Sequence, residues 1–230
     1  MNIVENKTSK KVMEFSRHIL VWDLPIRLFH WLLVILVIVS FVTGKIGGLW
    51  MQYHMLSGYV TLGLLVFRLV WGFVGGRYVR FSSFICGPSQ VLKYIQAMLK
   101  KDIPKYLGHN PLGGWSVLAM LITLSVQTVT GLFANDDIFT EGPFYHLVSK
   151  GTSDLLMRIH RVNQEVIILV IGVHVMAVLF YLIIKKENLI KPMFTGRKDW
   201  YNEGQSSTNR RKMAVLIASL IAAAIYLLLH

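Results

Sequence analysis

Cysteine is nearly absent from this chain: Cys86 is the only one in 230 residues. That excludes an internal disulfide, an iron–sulfur cluster held by several thiolates, and covalent haem attachment through a C-x-x-C-H motif. Charge is scarce as well, at 16% of residues, where an ordinary soluble domain carries about a quarter. Acidic groups are scarcer still, 12 against 24 Lys and Arg, which leaves a net charge of +12. Low-complexity tracts and convincing internal repeats are missing. No A-x-A-like cleavage site follows the first apolar run, which is long enough to span a bilayer and is therefore not read as a cleaved signal. What the chain has in abundance is hydrocarbon: 54% of residues are hydrophobic, mean hydropathy is +0.52, and the apolar residues are gathered in long runs. The chain is expected to be an integral membrane protein in contact with membrane lipid. Its basic residues lie in loops beside the runs, so orientation in the membrane explains them and no nucleic-acid partner is expected.

Five spans follow from the runs, with the fold class all-α. Residues 1–21 form a basic cytoplasmic N-terminal segment with Lys7, Lys10, Lys11 and Arg17. The spans cover about 22–43, 51–73, 112–134, 157–185 and 213–229, the last one short but just long enough to cross. Asp23 is placed to cap the first helix, with Pro25 in its first turn. Between spans two and three, Val91, Leu92, Ile95, Met98 and Leu99 recur at helical spacing with lysines between them, which predicts an amphipathic interfacial helix near 88–101. Residues 186–212 form a cytoplasmic basic linker. Ala214, Ala218 and Ala222 put a small-residue stripe on the last helix, suited to close packing. The first, third and fifth polar segments hold four, six and eight Lys or Arg, counting Lys185 with the last, whereas the 44–50 and 135–156 loops hold one each. That alternation predicts a multi-pass protein of the bacterial inner membrane with a cytoplasmic N-terminus.

Four of eight histidines fall inside the spans: His30, His54, His160 and His174. His160 and His174 are fourteen residues apart on one helix, ~21 Å along its axis and only ~40° apart around it. They face the same way but cannot hold one metal ion. His30 and His174 lie at similar depth from the cytoplasmic end, and His54 and His160 lie near the outward end. The four sort into two level pairs, His30 with His174 and His54 with His160. Paired imidazoles on facing helices with a flat macrocycle between them are the arrangement that ligates haem b on both axial faces. Two such haems would carry electrons across the bilayer. Arg27, one turn from His30, and Arg68, which returns to the face of His54 at the cytoplasmic level, are candidate partners for inner-haem propionates. Asn163 and Gln164, beside His160, are candidates for the outer haem, and Gly58, one turn after His54, for clearing space for a macrocycle. A proton relay would want carboxylates between the histidines. Glu165 is the only acidic residue well inside a span, and it is expected to pair with Arg161 four residues earlier.

The ordered motifs resemble the bacterial cytochrome b561 family, which includes the b-type cytochrome subunits of nickel hydrogenases. WDLPIRLFHW from Trp22 to Trp31 opens span one, and HMLSG from His54 to Gly58 opens span two. RLVWGFVG from Arg68 to Gly75 closes span two. GHNPLGG from Gly108 to Gly114 leads into span three and TGLF from Thr130 to Phe133 ends it. RIH ending at His160 and GVH ending at His174 mark span four. The resemblance covers about residues 21–186. It implies a four-helix haem-binding bundle, two haem b, ligand pairing across spans one and four and spans two and four, and electron exchange with membrane quinone. A fifth helix adds to the minimal form. The function expected is electron transfer between the quinone pool and a redox partner, such as a cytochrome c or a dehydrogenase subunit at the periplasmic face. His109 is placed where a quinone headgroup could receive a hydrogen bond, though a turn stabilised by Asn110 and Pro111 accounts for the motif more simply. Two other readings are a stand-alone quinone reductase oxidising a small reductant and a histidine-based metal or proton transporter.

Overall fold

The computed structural model describes residues 17–100, 104–136, 140–200 and 204–229. Lys7, Lys10, Lys11 and Lys101, on which part of the charge argument rests, lie outside them. Helix α1 spans Leu24–Ile46, α2 Met51–Val74, α3 Pro88–Leu99, α4 Pro111–Gly131, α5 Lys150–Ile183, α6 Ile190–Thr195 and α7 Arg211–Leu229. Five of these, α1, α2, α4, α5 and α7, are long and apolar enough to cross a membrane. The fold is an all-α membrane bundle of four helices plus a fifth, as expected. One element was not foreseen: β1 (Arg17–Leu20) and β2 (Arg197–Trp200) pair antiparallel, joining the segment before α1 to the one after α6.

The helix ends follow the local chemistry. Asp23 caps α1, its Oδ1 accepting the Ile26 N–H at 3.1 Å, with Pro25 in the first turn. Gly47 and Gly48 both take positive φ in the short turn to α2, a region closed to most side chains. Asn110 caps α4 by accepting the Gly113 N–H at 2.7 Å, and Ser149 caps α5 by accepting the Thr152 N–H at 3.2 Å.

That last cap corrects the expected boundary of the fourth span. The helix begins at Lys150, not near Met157, and runs 34 residues. Its first two turns are polar, including a Lys150–Asp154 pair at 3.6 Å, so hydropathy alone stops short of them. His160 therefore sits ten residues into its helix. Helix α4 likewise ends at Gly131, three residues before the expected Ala134, and residues 132–134 form a turn held by bonds back to Val129, Thr130 and Gly131.

The bundle packs unevenly. Helix α1 runs along α2, α4 along α5, α2 touches α4, and α7 lies against α2. Among the described residues no comparable contact joins α5 to α1 or α2. The core lies around α2, where Leu65 and Trp71 are almost fully buried with Ile26, Phe29, Leu121, Leu124 and Ile167 around them. Helix α7 contributes Met213, Ala214, Ile217 and Ile221, and Ile225 reaches Gly63. The expected alanine stripe is thus corrected in part: Ala214 is buried, but Ala218 and Ala222 are exposed. Period-3.6 packing against α2 selects the isoleucine face, which turns those two alanines outward.

Candidate functional site

The pair expected to lie toward the outward face is the best-defined part of the site. His54 on α2 and His160 on α5 face each other with ring centroids 6.1 Å apart and planes at 74°. Each ring is held from behind by a neighbouring helix. His54 Nδ1 is 2.7 Å from the Ser40 carbonyl of α1. His160 Nδ1 is 3.0 Å from the Gln127 carbonyl of α4 and 3.2 Å from Thr130 Oγ1. A carbonyl can only accept, so Nδ1 carries the proton in both rings and Nε2 keeps its lone pair. That is the tautomer of a histidine metal ligand whose second nitrogen is fixed by the surrounding protein.

Glycines make the close approach possible. A Cβ at Gly44 would lie 2.8 Å from His54 Nδ1, and one at Gly131 would lie 3.2 Å from His160 Cε1. On both supporting helices the carbonyl and the glycine are four residues apart: Ser40 with Gly44 and Gln127 with Gly131. One helical turn separates them, so each helix presents an acceptor and a gap on the same face. Sequence reasoning missed these supporting residues. The signal was a glycine in each helix opposite an intramembrane histidine, but Gly44 reads as part of a turn and Gly131 as a helix end.

The other outward candidates fare differently. Asn163 is buried, and its amide donates to the Thr123 carbonyl at 2.8 Å and Gln127 Oε1 at 2.7 Å. It ties α5 to α4, buttressing the stretch that holds His160. Gln164 Nε2 donates to Glu165 Oε1 at 3.4 Å, in an exposed contact. Among the described residues Arg161 forms no ion pair with Glu165, contrary to expectation. Gly58 faces open space, with nothing within 4 Å of the position of a Cβ.

The other half, at the N-terminal end of α1, is built from loops and charges. His30 packs edge-on to Trp31 at 4.9 Å, and its Nδ1 is buried without a hydrogen-bond partner. Arg27 donates from Nη1 to the Phe194 carbonyl of α6, while its buried Nε has no partner. Arg68 is 2% exposed. Its Nη2 donates to the Val79 carbonyl at 3.2 Å, and its Nη1 is buried without a partner. Asp23, close by, is committed elsewhere: it accepts the Ile26, Gly76 and Trp71 N–H groups. Burial pushes the Asp23 carboxyl above its usual range, against the opposing pull of those donors and of the Arg68 charge.

His109 precedes the α4 cap. Its ring lies between Trp22 and Phe84, 4.7 Å from each, and its Nδ1 is buried without a partner. Burial, with Arg68 and His174 nearby, holds its pKa down to about 3, so the imidazole is neutral. Beside it, Asn110 Nδ2 donates to Tyr181 Oη at 2.9 Å, and that oxygen also bonds Tyr94 of α3. The turn is therefore a structural node joining α3, α4 and α5, as the simpler reading of the motif held.

A model of the prokaryotic cytochrome b561 family matches residues 21–196, which includes all four intramembrane histidines. The chain belongs to that family. It is similar to a probable Ni/Fe-hydrogenase B-type cytochrome subunit of Azotobacter vinelandii, 26% identical over 76% of this chain and 86% of the relative. A relative of the same description in Bradyrhizobium diazoefficiens is 23% identical over 78% and 85%. A probable Ni/Fe-hydrogenase 1 B-type cytochrome subunit of Escherichia coli K12 is 26% identical over 48% and 57%. No solved structure matches the chain. This b561-family protein is a multi-pass bacterial membrane cytochrome that carries haem b and transfers electrons.

The outward pair fits such a group. Two metal–imidazole bonds of about 2 Å, with about 1.1 Å from each nitrogen to its ring centroid, give a centroid separation of about 6 Å. Among the described residues no three His, Cys, Asp or Glu side chains converge on a metal site.

Proposed function

We propose that this cytochrome holds two haem b groups in its bundle, His54 with His160 as axial ligands toward the outward face and His30 with His174 toward the cytoplasm. It carries electrons between membrane quinone and a redox partner at the outward face. The observation that supports this most strongly is the outward histidine pair: two rings on separate helices, both in the ligand tautomer, at the spacing an iron between them requires. When bound, haem supplies one-electron chemistry, and ligation on both faces favours electron transfer over oxygen binding.

The protein's own contribution is placement. Ser40 and Gln127 fix the tautomers of His54 and His160, and Gly44 and Gly131 let both rings sit against their supporting helices. Gly58 leaves room beside His54. Helix α5 packs along α4, and among the described residues it makes no comparable contact with α1 or α2. Arg68, with Arg27 beside the cap, supplies positive charge at the cytoplasmic end for haem carboxylates. Asn163 and Gln164 serve the outer site through α5, Asn163 by its hydrogen bonds to α4.

The alternation of loop charges supports a cytoplasmic N-terminus. The relatives' description as hydrogenase cytochrome subunits makes a hydrogenase one candidate for the outward partner, alongside a cytochrome c or another dehydrogenase subunit. Pyridine haemochrome quantification on the purified protein tests the core of this reading. Two haem b per chain are expected, and one or none would overturn it. Adding quinone to the reduced protein without any partner separates a carrier from a stand-alone quinone reductase, because only the latter turns over with a small reductant alone.

A further inference from the structure

The cytoplasmic half contains a cation with no ion-pair partner among the described residues. Arg68 is 2% exposed, and among the described residues no carboxylate lies within ion-pair distance of it. The closest acid, Asp23, has its oxygens occupied by three N–H donors. Glu187, also on the cytoplasmic side, pairs with Lys198 at 2.6 Å. A buried charge left without partner and full hydrogen bonding is costly, and the arrangement persists where an anion completes it.

His109 shares that vacancy in bonding. The Arg68 guanidinium lies over the Phe81 and Phe84 rings, 4.9 and 5.9 Å from their centroids, and the His109 ring lies 4.7 Å from the same Phe84. One aromatic ring thus sits against both groups. The loop carrying Phe81 and Phe84 is seated by two glycines: a Cβ at Gly72 would lie 2.1 Å from Phe81, and one at Gly114 2.5 Å from the Phe84 carbonyl. Arg68 Nη1 and His109 Nδ1 are both buried, and neither has a hydrogen-bond partner among the described residues. A carboxylate has one negative charge and two oxygens, which answers a guanidinium on one side and a neutral imidazole on the other.

We infer that Arg68 and His109 form a two-point carboxylate site, filled by a carboxylate of the inner haem, with His109 acting as a positioning residue that raises that haem's potential. The inference rests on the di-haem reading above. His174, the proposed inner ligand on α5, is within electrostatic reach of His109, which puts the site at the inner level. A donor and a cation that neutralise the carboxylate favour the electron-rich reduced state. Removing either lowers the midpoint of the inner haem alone.

The test is an optical redox titration of the full-length protein in membranes, with the inner haem assigned as the one missing from His174→Ala. His109→Phe keeps the aromatic stack and deletes the donor. The expected result is a roughly tenfold fall in the reduction equilibrium of the inner haem, which is 59 mV for one electron, with the outer midpoint unmoved. His109→Asn, which restores an N–H near the Nδ1 position, should return most of that shift. Arg68→Lys keeps the charge, loses the fork, and should move the same midpoint in the same direction. An unmoved inner midpoint in His109→Phe, or equal shifts of both haems, would overturn the inference. So would a variant with wild-type midpoints that has lost only its response to added quinone. Fewer than two haems in the unmutated protein would sink the di-haem reading itself, a result distinct from these.

Discussion

His54 and His160 each have Nδ1 bound to a carbonyl of a neighbouring helix, whereas the buried Nδ1 of His30 has no acceptor among the described residues. The half of the bundle around His54 and His160, outward in the proposed orientation, is organised by regular backbone: a carbonyl and a glycine one turn apart on α1, and the same pair on α4. The opposite half, cytoplasmic in the proposed orientation, is organised by loops, caps and charge, with Arg68, His109, Asp23 and the β1–β2 pair in place of a helical cradle. A backbone carbonyl cannot titrate and moves only with its helix, so the outward site is fixed before any cofactor arrives. The cytoplasmic site leaves several polar atoms for a cofactor to satisfy. The two halves should therefore respond differently to the same kind of injury.

Ligand replacement has the largest effect. His54→Ala or His160→Ala should remove the outer haem and leave the inner one, cutting pyridine haemochrome absorbance by about half, since one of two sites loses an axial ligand. His30→Ala and His174→Ala should remove the other half. If each of the four variants lost both haems, the halves would not be independent and the contrast would fail.

Damage to the cradle comes next. Gly44→Ala places a methyl group 2.8 Å from His54 Nδ1, and overpacking of this kind costs about 1–3 kcal/mol. Outer-haem occupancy should fall with the inner haem untouched. Gly131→Ala, at 3.2 Å from a ring carbon, should follow at smaller size. Gly58 provides the counter-case. Nothing in the chain lies within 4 Å of its missing Cβ, and Ala is favoured over Gly in a helix by about 1 kcal/mol. Gly58→Leu should be tolerated by the polypeptide yet lower outer-haem occupancy. Unchanged occupancy would remove Gly58 from the site.

The difference between the halves also explains what the sequence revealed. The spans, the meeting of His54 with His160 and the capping of α1 by Asp23 were legible because hydropathy, helical spacing and cap chemistry are local. The family motifs lie at helix ends, where those same rules act. The supports of the outward pair were not legible, because a carbonyl carries no signature in the residue that bears it. Ser40 and Gln127 would serve with other side chains. The start of α5 was misplaced because its first turns are polar, and a cap by Ser149 leaves no mark on a hydropathy profile. The outward turn of Ala218 and Ala222 depended on which face of α7 meets α2, a tertiary choice. The exposed ion pair between His18 and Asp199, which joins β1 to β2, brings together residues about 180 positions apart, beyond any periodic pattern.

The smallest effect belongs to the cytoplasmic node. Asn110 accepts the Gly113 N–H as the cap of α4 and donates to Tyr181 of α5, where Tyr94 of α3 also bonds. Asn110→Ala removes both bonds, and loss of an N-cap typically costs about 1 kcal/mol. Because loops rather than helix backbone place the inner site, even this modest loosening should reach it. The expected result is a broadened redox transition of the inner haem, with a thermal midpoint only slightly lowered and the outer haem unchanged. Asn110→Asp keeps the cap but loses the donor to Tyr181, so it separates the two bonds. If the inner haem behaves in Asn110→Asp as in the unmutated protein, the cap alone fixes the turn. If it behaves as in Asn110→Ala, the tie to α5 is what holds His174 and His109 in register.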